Sequence, residues 1–224
     1  MTKYARRKAL VVGEATDIGL AIAKRLVEGG ASVLLTARTE AERAHAVAEL
    51  GSAARVVTPS AVEAALTGEP APAGDGTTGT TGLGNSHTGP TSPTGLAEGP
   101  TGSGDGPTSP TGPTRVGLLF ADAIPTARPL LPYVEDGGAV VLTAPTPCPD
   151  AVRALAGELA ARGIRVNAVA PGCIEAPGSG AVPLPPLGRL GAAEEVARAA
   201  LFLATEATFT TGARLPVDGG LGRP

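Results

Sequence analysis

Residues 11 to 30, VVGEATDIGLAIAKRLVEGG, constrain the fold of this chain more than any other stretch. An apolar run ends at Gly13, a short polar turn follows, and apolar residues then recur at helical spacing from Ile18 to Glu28. A strand that passes through a glycine turn into a helix opens a βαβ unit, and the start of such a helix offers N–H groups to an anion. Ser32 to Ala37 supplies the second strand, TEAERAHAVAEL reads as the next helix, and ARVV is a short third strand before Pro59. Units of this kind join by right-handed crossovers, so the expected fold class is α/β, a Rossmann-type doubly wound parallel sheet.

The pattern breaks between Thr67 and Thr114. Gly, Pro, Thr and Ser dominate there, the only large apolar residues are Leu83 and Leu96, and GPTSPTG occurs at 89–95 and again at 106–112. Such a tract has too little apolar surface to offset its ordering entropy and reads as a disordered, low-complexity insertion. A docking arm for a protein partner is the functional alternative. Order is expected to resume with Val116 to Phe120 as a strand, a helical stripe interrupted by prolines at Ile124, Ala127, Leu131 and Val134, and a strand in GGAVVLTA. DAVRALAGELAARG, IRVNAVAPG, AAEEVARAALFLATEAT and ARLPVDGG then read as helix, strand, helix and strand. One domain is therefore expected, with residues 1–66 as its first half, 67–114 as the insertion and 115–224 as its second half.

Composition narrows the function classes. A chain of 224 residues with 42% apolar content can bury one sizeable core. Its net charge of −3, with 17% charged residues and no basic run, argues against nucleic acid or an anionic membrane surface as partner. The basic start MTKYARRKALVVG falls directly into the glycine turn, too soon for a signal peptide or a membrane span, so a cytoplasmic protein is expected. Cys148 and Cys173 lack metal-ligand spacing, and His45 and His87 are the only histidines, so neither a zinc site nor a disulfide framework is expected.

The order of VVGEATDIGLAIAKRL, GELAARGIRVNAVAPG and GRLGAAEEVARAALFLATEATFTTGARLPVDGG resembles the short-chain dehydrogenase/reductase family, especially its acyl-carrier-protein reductase-like members. The resemblance covers both ends of the chain and fails in the middle. It implies a nicotinamide cofactor held by a TGxxxGxG turn, in which Gly13, Ile18 and Gly19 match, Val12 replaces Thr and Asp17 replaces the middle Gly. An Asp at that point is expected to cap the helix and compete with the pyrophosphate for the same N–H groups. Arg38 falls where members that prefer NADP set a cation against the 2′-phosphate, and Pro171 and Gly172 fall where the wall beside the nicotinamide is built. The acidic residue after the third strand has lapsed near Val57 and Thr58, and the threonine after the PG turn has become Ala176. Weakened NADP binding is the expectation.

The same resemblance implies a Tyr proton donor with a Lys four residues on. Tyrosine occurs only at 4 and 133 and lysine only at 3, 8 and 24, and the Tyr4/Lys8 pair lies at the wrong end of the sheet. Thr143 or Ala144 falls at the family's serine, and Asp122 is the one ionisable group in FADA, which stands where the family carries NNAG. Thr143 and Asp122 are thus the remaining candidates for acid or hydrogen-bond donor. Three readings follow: a non-catalytic member that acts as a partner in homo- or hetero-oligomers with related subunits; an NADP-dependent carbonyl reductase with a non-standard proton donor; and a scaffold whose Thr/Pro/Gly tract binds a protein partner.

Overall fold

The computed structural model describes residues 3–13, 17–68, 114–144, 147–175 and 183–222, and the expectations that concern Glu14, Ala176 and the tract from 69 to 113 lie outside them. Seven strands form one sheet: β1 (Lys8–Val12), β2 (Ser32–Thr36), β3 (Ala54–Val57), β4 (Val116–Ala121), β5 (Val134–Leu142), β6 (Arg165–Pro171) and β7 (Arg214–Val217). Their spatial order is β3-β2-β1-β4-β5-β6-β7, and every neighbouring pair is parallel. The chain thus winds outward from β1 in one direction and from β4 in the other. Beyond the carboxyl ends of those two strands lies the crevice in which doubly wound sheets bind ligands.

The strands carry near-continuous apolar runs because both faces of the sheet are covered. Alternation still decides which face each side chain serves. Ala9 and Val11, Leu118 and Phe120, and Val141 point to one layer, where Ile22 and Leu26 of α1 (Asp17–Glu28), Leu50 of α2 (Glu40–Leu50), and Val196, Leu201 and Leu203 of α6 (Ala193–Thr205) pack on them. Leu10 and Val12, Leu119 and Ala121, and Val140 and Leu142 point to the other. Val62 and Leu66 of α3 (Val62–Thr67) and Val152, Leu155 and Leu159 of α5 (Pro149–Leu159) fill that layer. Each fully buried Leu or Ile contributes about 1.5–3 kcal/mol relative to exposure.

One local expectation is corrected and one element is added. The stripe from Ile124 to Val134 is one α-helical turn, α4 (Ile124–Ala127), followed by a 3-10 turn over Arg128–Tyr133. Pro129 and Pro132 remove N–H donors that a longer helix needs, so Val134 becomes the first residue of β5. The register between β4 and β5 then shifts between Val116 and Leu118. Helix α3 was not anticipated, since VEAALT is only six residues long, yet Val62 and Leu66 are 3% and 2% exposed. The N–H of Thr114 donates to the Leu66 carbonyl, so the two described flanks of the Gly/Pro/Thr/Ser tract meet at the end of α3. No described helix is long and apolar enough to cross a membrane.

Candidate functional site

The β1–β4 register pairs Val12 with Ala121, so the next residue on each strand, Gly13 and Asp122, emerges at the crevice side by side. Gly13 has φ +126, a conformation that suits glycine, and a Cβ placed on it would lie 2.7 Å from Asp122 Cγ and 3.0 Å from Oδ1. Only a glycine admits the Asp122 side chain at this point. Among the described residues, Asp122 Oδ1 is buried without a hydrogen-bond partner. The Gly13 N–H donates to Thr36 Oγ1 at 3.3 Å, and the Thr36 hydroxyl, 1% exposed as a residue, lies 3.5 Å from the Gly13 carbonyl. Thr36 was missed by sequence reasoning, although a polar residue closing the apolar run SVLLT is a signal that could have found it.

Two cavities flank this point. One is lined by Gly13, Gly19, Ile22, Phe120, Asp122 and Thr143 and has a volume of about 10 Å³. The other, on the β2–β3 side, is about 280 Å³ and is lined by residues including Gly13, Thr36, Arg38, Ser60, Glu63 and Leu130. Arg38 is set there by the start of α2: Thr39 Oγ1 accepts from the Glu42 N–H, while the Glu42 carboxylate accepts from the N–H groups of Thr39 and Arg38.

The structure therefore brings Gly13, Gly19, Asp122 and Thr143 together and puts Arg38 in the adjoining cavity. Ile18 packs, half-buried, against the core. Thr143, immediately after β5, turns its hydroxyl to the Ala121 carbonyl at 3.3 Å. Pro171 and Gly172 lie at the end of β6, three strands and about 14 Å from β1. Gly172 donates to the Val217 carbonyl, and a Cβ there would meet the Asp218 Cα at 2.6 Å, so β7 requires this glycine whatever else it does. Asp17 is the first described residue of α1 and lines an outer cavity with Lys24, His45, Glu49, Glu175 and Glu194.

Neither tyrosine approaches the crevice. Tyr4 is buried before the amino end of β1, against Gly29, and Tyr133 closes the turn before the amino end of β5. Lys8 starts β1, Lys24 on α1 pairs with Glu49, and Lys3 pairs with Glu206. Residues 143–148 alone separate β5 from α5, which leaves no room for the half-helix that would carry a Tyr and a Lys over the crevice.

A fourth cavity, about 340 Å³, lies beside the carboxyl end of β7 and is lined by Arg189, Glu195, Val217 and Asp218 among others. The Arg189 guanidinium, with help from the Ala192 N–H, lowers the Glu195 carboxyl to about 2. Among the described residues, no group of three His, Cys, Asp or Glu side chains could hold a metal ion.

A dinucleotide can be tested against this geometry. The 280 Å³ cavity has hydroxyls, a guanidinium and apolar walls suited to a nucleoside end. Beside Gly13 a diphosphate would meet the Asp122 carboxylate and find the Gly13 N–H already donating to Thr36.

Comparison with known proteins agrees with the fold. Residues 7–67 match the family model described as short chain dehydrogenase, and residues 148–222 match that described as enoyl-(acyl carrier protein) reductase. The 3-oxoacyl-(acyl-carrier-protein) reductase FabG of Thermotoga maritima is 50% identical over 76 residues, 30% of this chain and 31% of that protein. FabG of Pseudomonas aeruginosa is 47% identical over 31% of this chain and 32% of its own length, so the chain spans about a third of these curated relatives. The oxidoreductase asL5 of Sarocladium schorii is 31% identical over 96% of this chain and 95% of its own. Among solved structures, a hydroxysteroid dehydrogenase from Escherichia coli superposes with a TM-score of 0.69 at 20% identity, covering 99% of both chains. The 3-oxoacyl-(acyl-carrier protein) reductase of Brucella melitensis gives 0.68 at 23%, covering 100% of this chain and 94% of its own.

Proposed function

The chain belongs to the short-chain dehydrogenase/reductase family, and we propose that it is a non-catalytic member, a partner subunit with a weakened NADP site. The observation that carries this reading is the position of its tyrosines. Tyr4 and Tyr133 both precede the amino ends of their strands, at the edge of the sheet opposite the crevice, and no lysine lies beside either at the crevice. A positioned acid contributes about 10²–10⁴-fold to a carbonyl reduction, and nothing at the crevice replaces it in this reading. Arg38 gives the residual nucleotide site its NADP preference, and Pro171 and Gly172 keep the remnant of the far wall. Exposed Phe202 and Phe209, 48% and 104% accessible, support a role in contacts with related subunits in the cytoplasm.

The test is NADPH consumption by the purified chain with a 3-oxoacyl thioester as carbonyl substrate. The expected rate equals that of the protein-free blank. A saturable rate that disappears in Thr143→Ala would favour the second reading, a reductase with a non-standard donor, for which the shared cavity of Thr143 and Gly13 speaks.

A further inference from the structure

Four features converge on one residue at the crevice. The Asp122 carboxyl carbon stands where a Cβ of Gly13 would almost touch it, so the side chain fills the ground beside the glycine turn. Among the described residues its Oδ1 is buried without a hydrogen-bond partner, although the side chain as a whole is half-buried. The Gly13 N–H, a donor that a phosphate could have used, is committed to Thr36. The cavity shared by Gly13, Gly19, Asp122 and Thr143 is only about 10 Å³, barely the room for one water, whereas the space on the Thr36 side is about 280 Å³.

Resting on the reading of a reduced nucleotide site, we propose that Asp122 determines its ligand specificity: the carboxylate rejects ligands whose phosphates must lie over Gly13 and leaves the Thr36 side to an uncharged nucleoside. The rejection is electrostatic. Like charges brought together beside a half-buried carboxylate repel more strongly than in open water, and a diphosphate brings more than one. A nucleoside seated against Val12, Thr36, Ser60 and Leu130 meets the carboxylate with no charge of its own.

The experiment is calorimetric titration of the full chain, unmodified and as Asp122→Asn and Asp122→Ala, with adenosine and with NADPH. Asn keeps the shape and removes the charge. The expected result is adenosine affinity equal within about twofold in all three proteins, and NADPH affinity at least about tenfold higher in Asp122→Asn, which corresponds to about 1.4 kcal/mol. Unchanged NADPH affinity in Asp122→Asn, with adenosine still bound, overturns the role of Asp122 and leaves the nucleotide site standing. Failure of adenosine to bind any of the three overturns the nucleotide reading and this inference with it. Thermal melts accompany each titration; should Asp122→Ala melt early, Asp122→Asn decides the matter alone.

Discussion

The strands β6 and β7 and the crevice between β1 and β4 differ in one polar group: both engage a buried side chain, Asn167 and Thr36, but the crevice also holds one oxygen with no partner among the described residues. At β6, Asn167 is 1% exposed, yet its Nδ2 donates to the Thr210 carbonyl at 2.8 Å and its Oδ1 accepts the Ala213 N–H at 3.0 Å. Arg165 closes the end of α6 by donating to the carbonyls of Leu203, Ala204 and Ala207. At the crevice, Asp122 Oδ1 is buried with nothing to receive. Polar groups with partners fix the position of a segment, whereas an orphaned carboxylate costs stability and acts only on what approaches it. In the β6–β7 region Asn167 and Arg165 are both engaged in holding β6, the loop before β7 and the end of α6 together.

Breaking the better-satisfied side should have the largest effect. Asn167→Leu strands the Thr210 carbonyl and the Ala213 N–H together and is expected to lose about 2–3 kcal/mol in denaturant unfolding. A loss near zero would mean that this pair of bonds is not what holds β6 to the following loop. The same measurement on Asp122→Ala should show the reverse, no loss and a gain of up to about 1 kcal/mol, because the truncation removes an unsatisfied oxygen.

The smallest effect concerns pH. Glu195 is held at about 2 by Arg189 and the Ala192 N–H, below the unfolded value of about 4.3. A depressed carboxylate contributes stability above the unfolded value and loses it as pH falls from there through about 2. The pair is largely exposed, so Glu195→Gln is expected to lower Tm by only about 1–2 °C at neutral pH. Melting curves of the two proteins should converge as pH approaches 2, and a constant gap down to that pH would remove the ion pair as its cause.

Much of the fold was legible because it rests on local pattern. Runs such as KALVV and SVLLT, followed by helical spacing, place β1, α1 and β2 within a residue or two of the observed ends. From Ile124 to Val134 the prolines marked the interruption but not that Val134 leaves the stripe for β5, and α3 was too short for its periodicity to register. The site was only half legible. Gly13, Gly19 and Thr143 could be named from the strand-to-helix turn and the end of β5, but their company could not. The contact of Asp122 with Gly13 depends on the pairing of Val12 with Ala121 across a sequence gap that includes the whole Gly/Pro/Thr/Ser tract. Thr36 is likewise a long-range partner of Gly13, through the parallel pairing of β1 and β2.

The most direct measurement is a titration of the unmodified chain with NADPH followed by calorimetry. A weakened site, crowded by the Asp122 carboxylate and deprived of the Gly13 N–H, predicts a dissociation constant of about 0.1 mM or weaker. Binding at about 1 μM or tighter would contradict the account, because a diphosphate would then be accommodated beside the Asp122 carboxylate and without the Gly13 N–H.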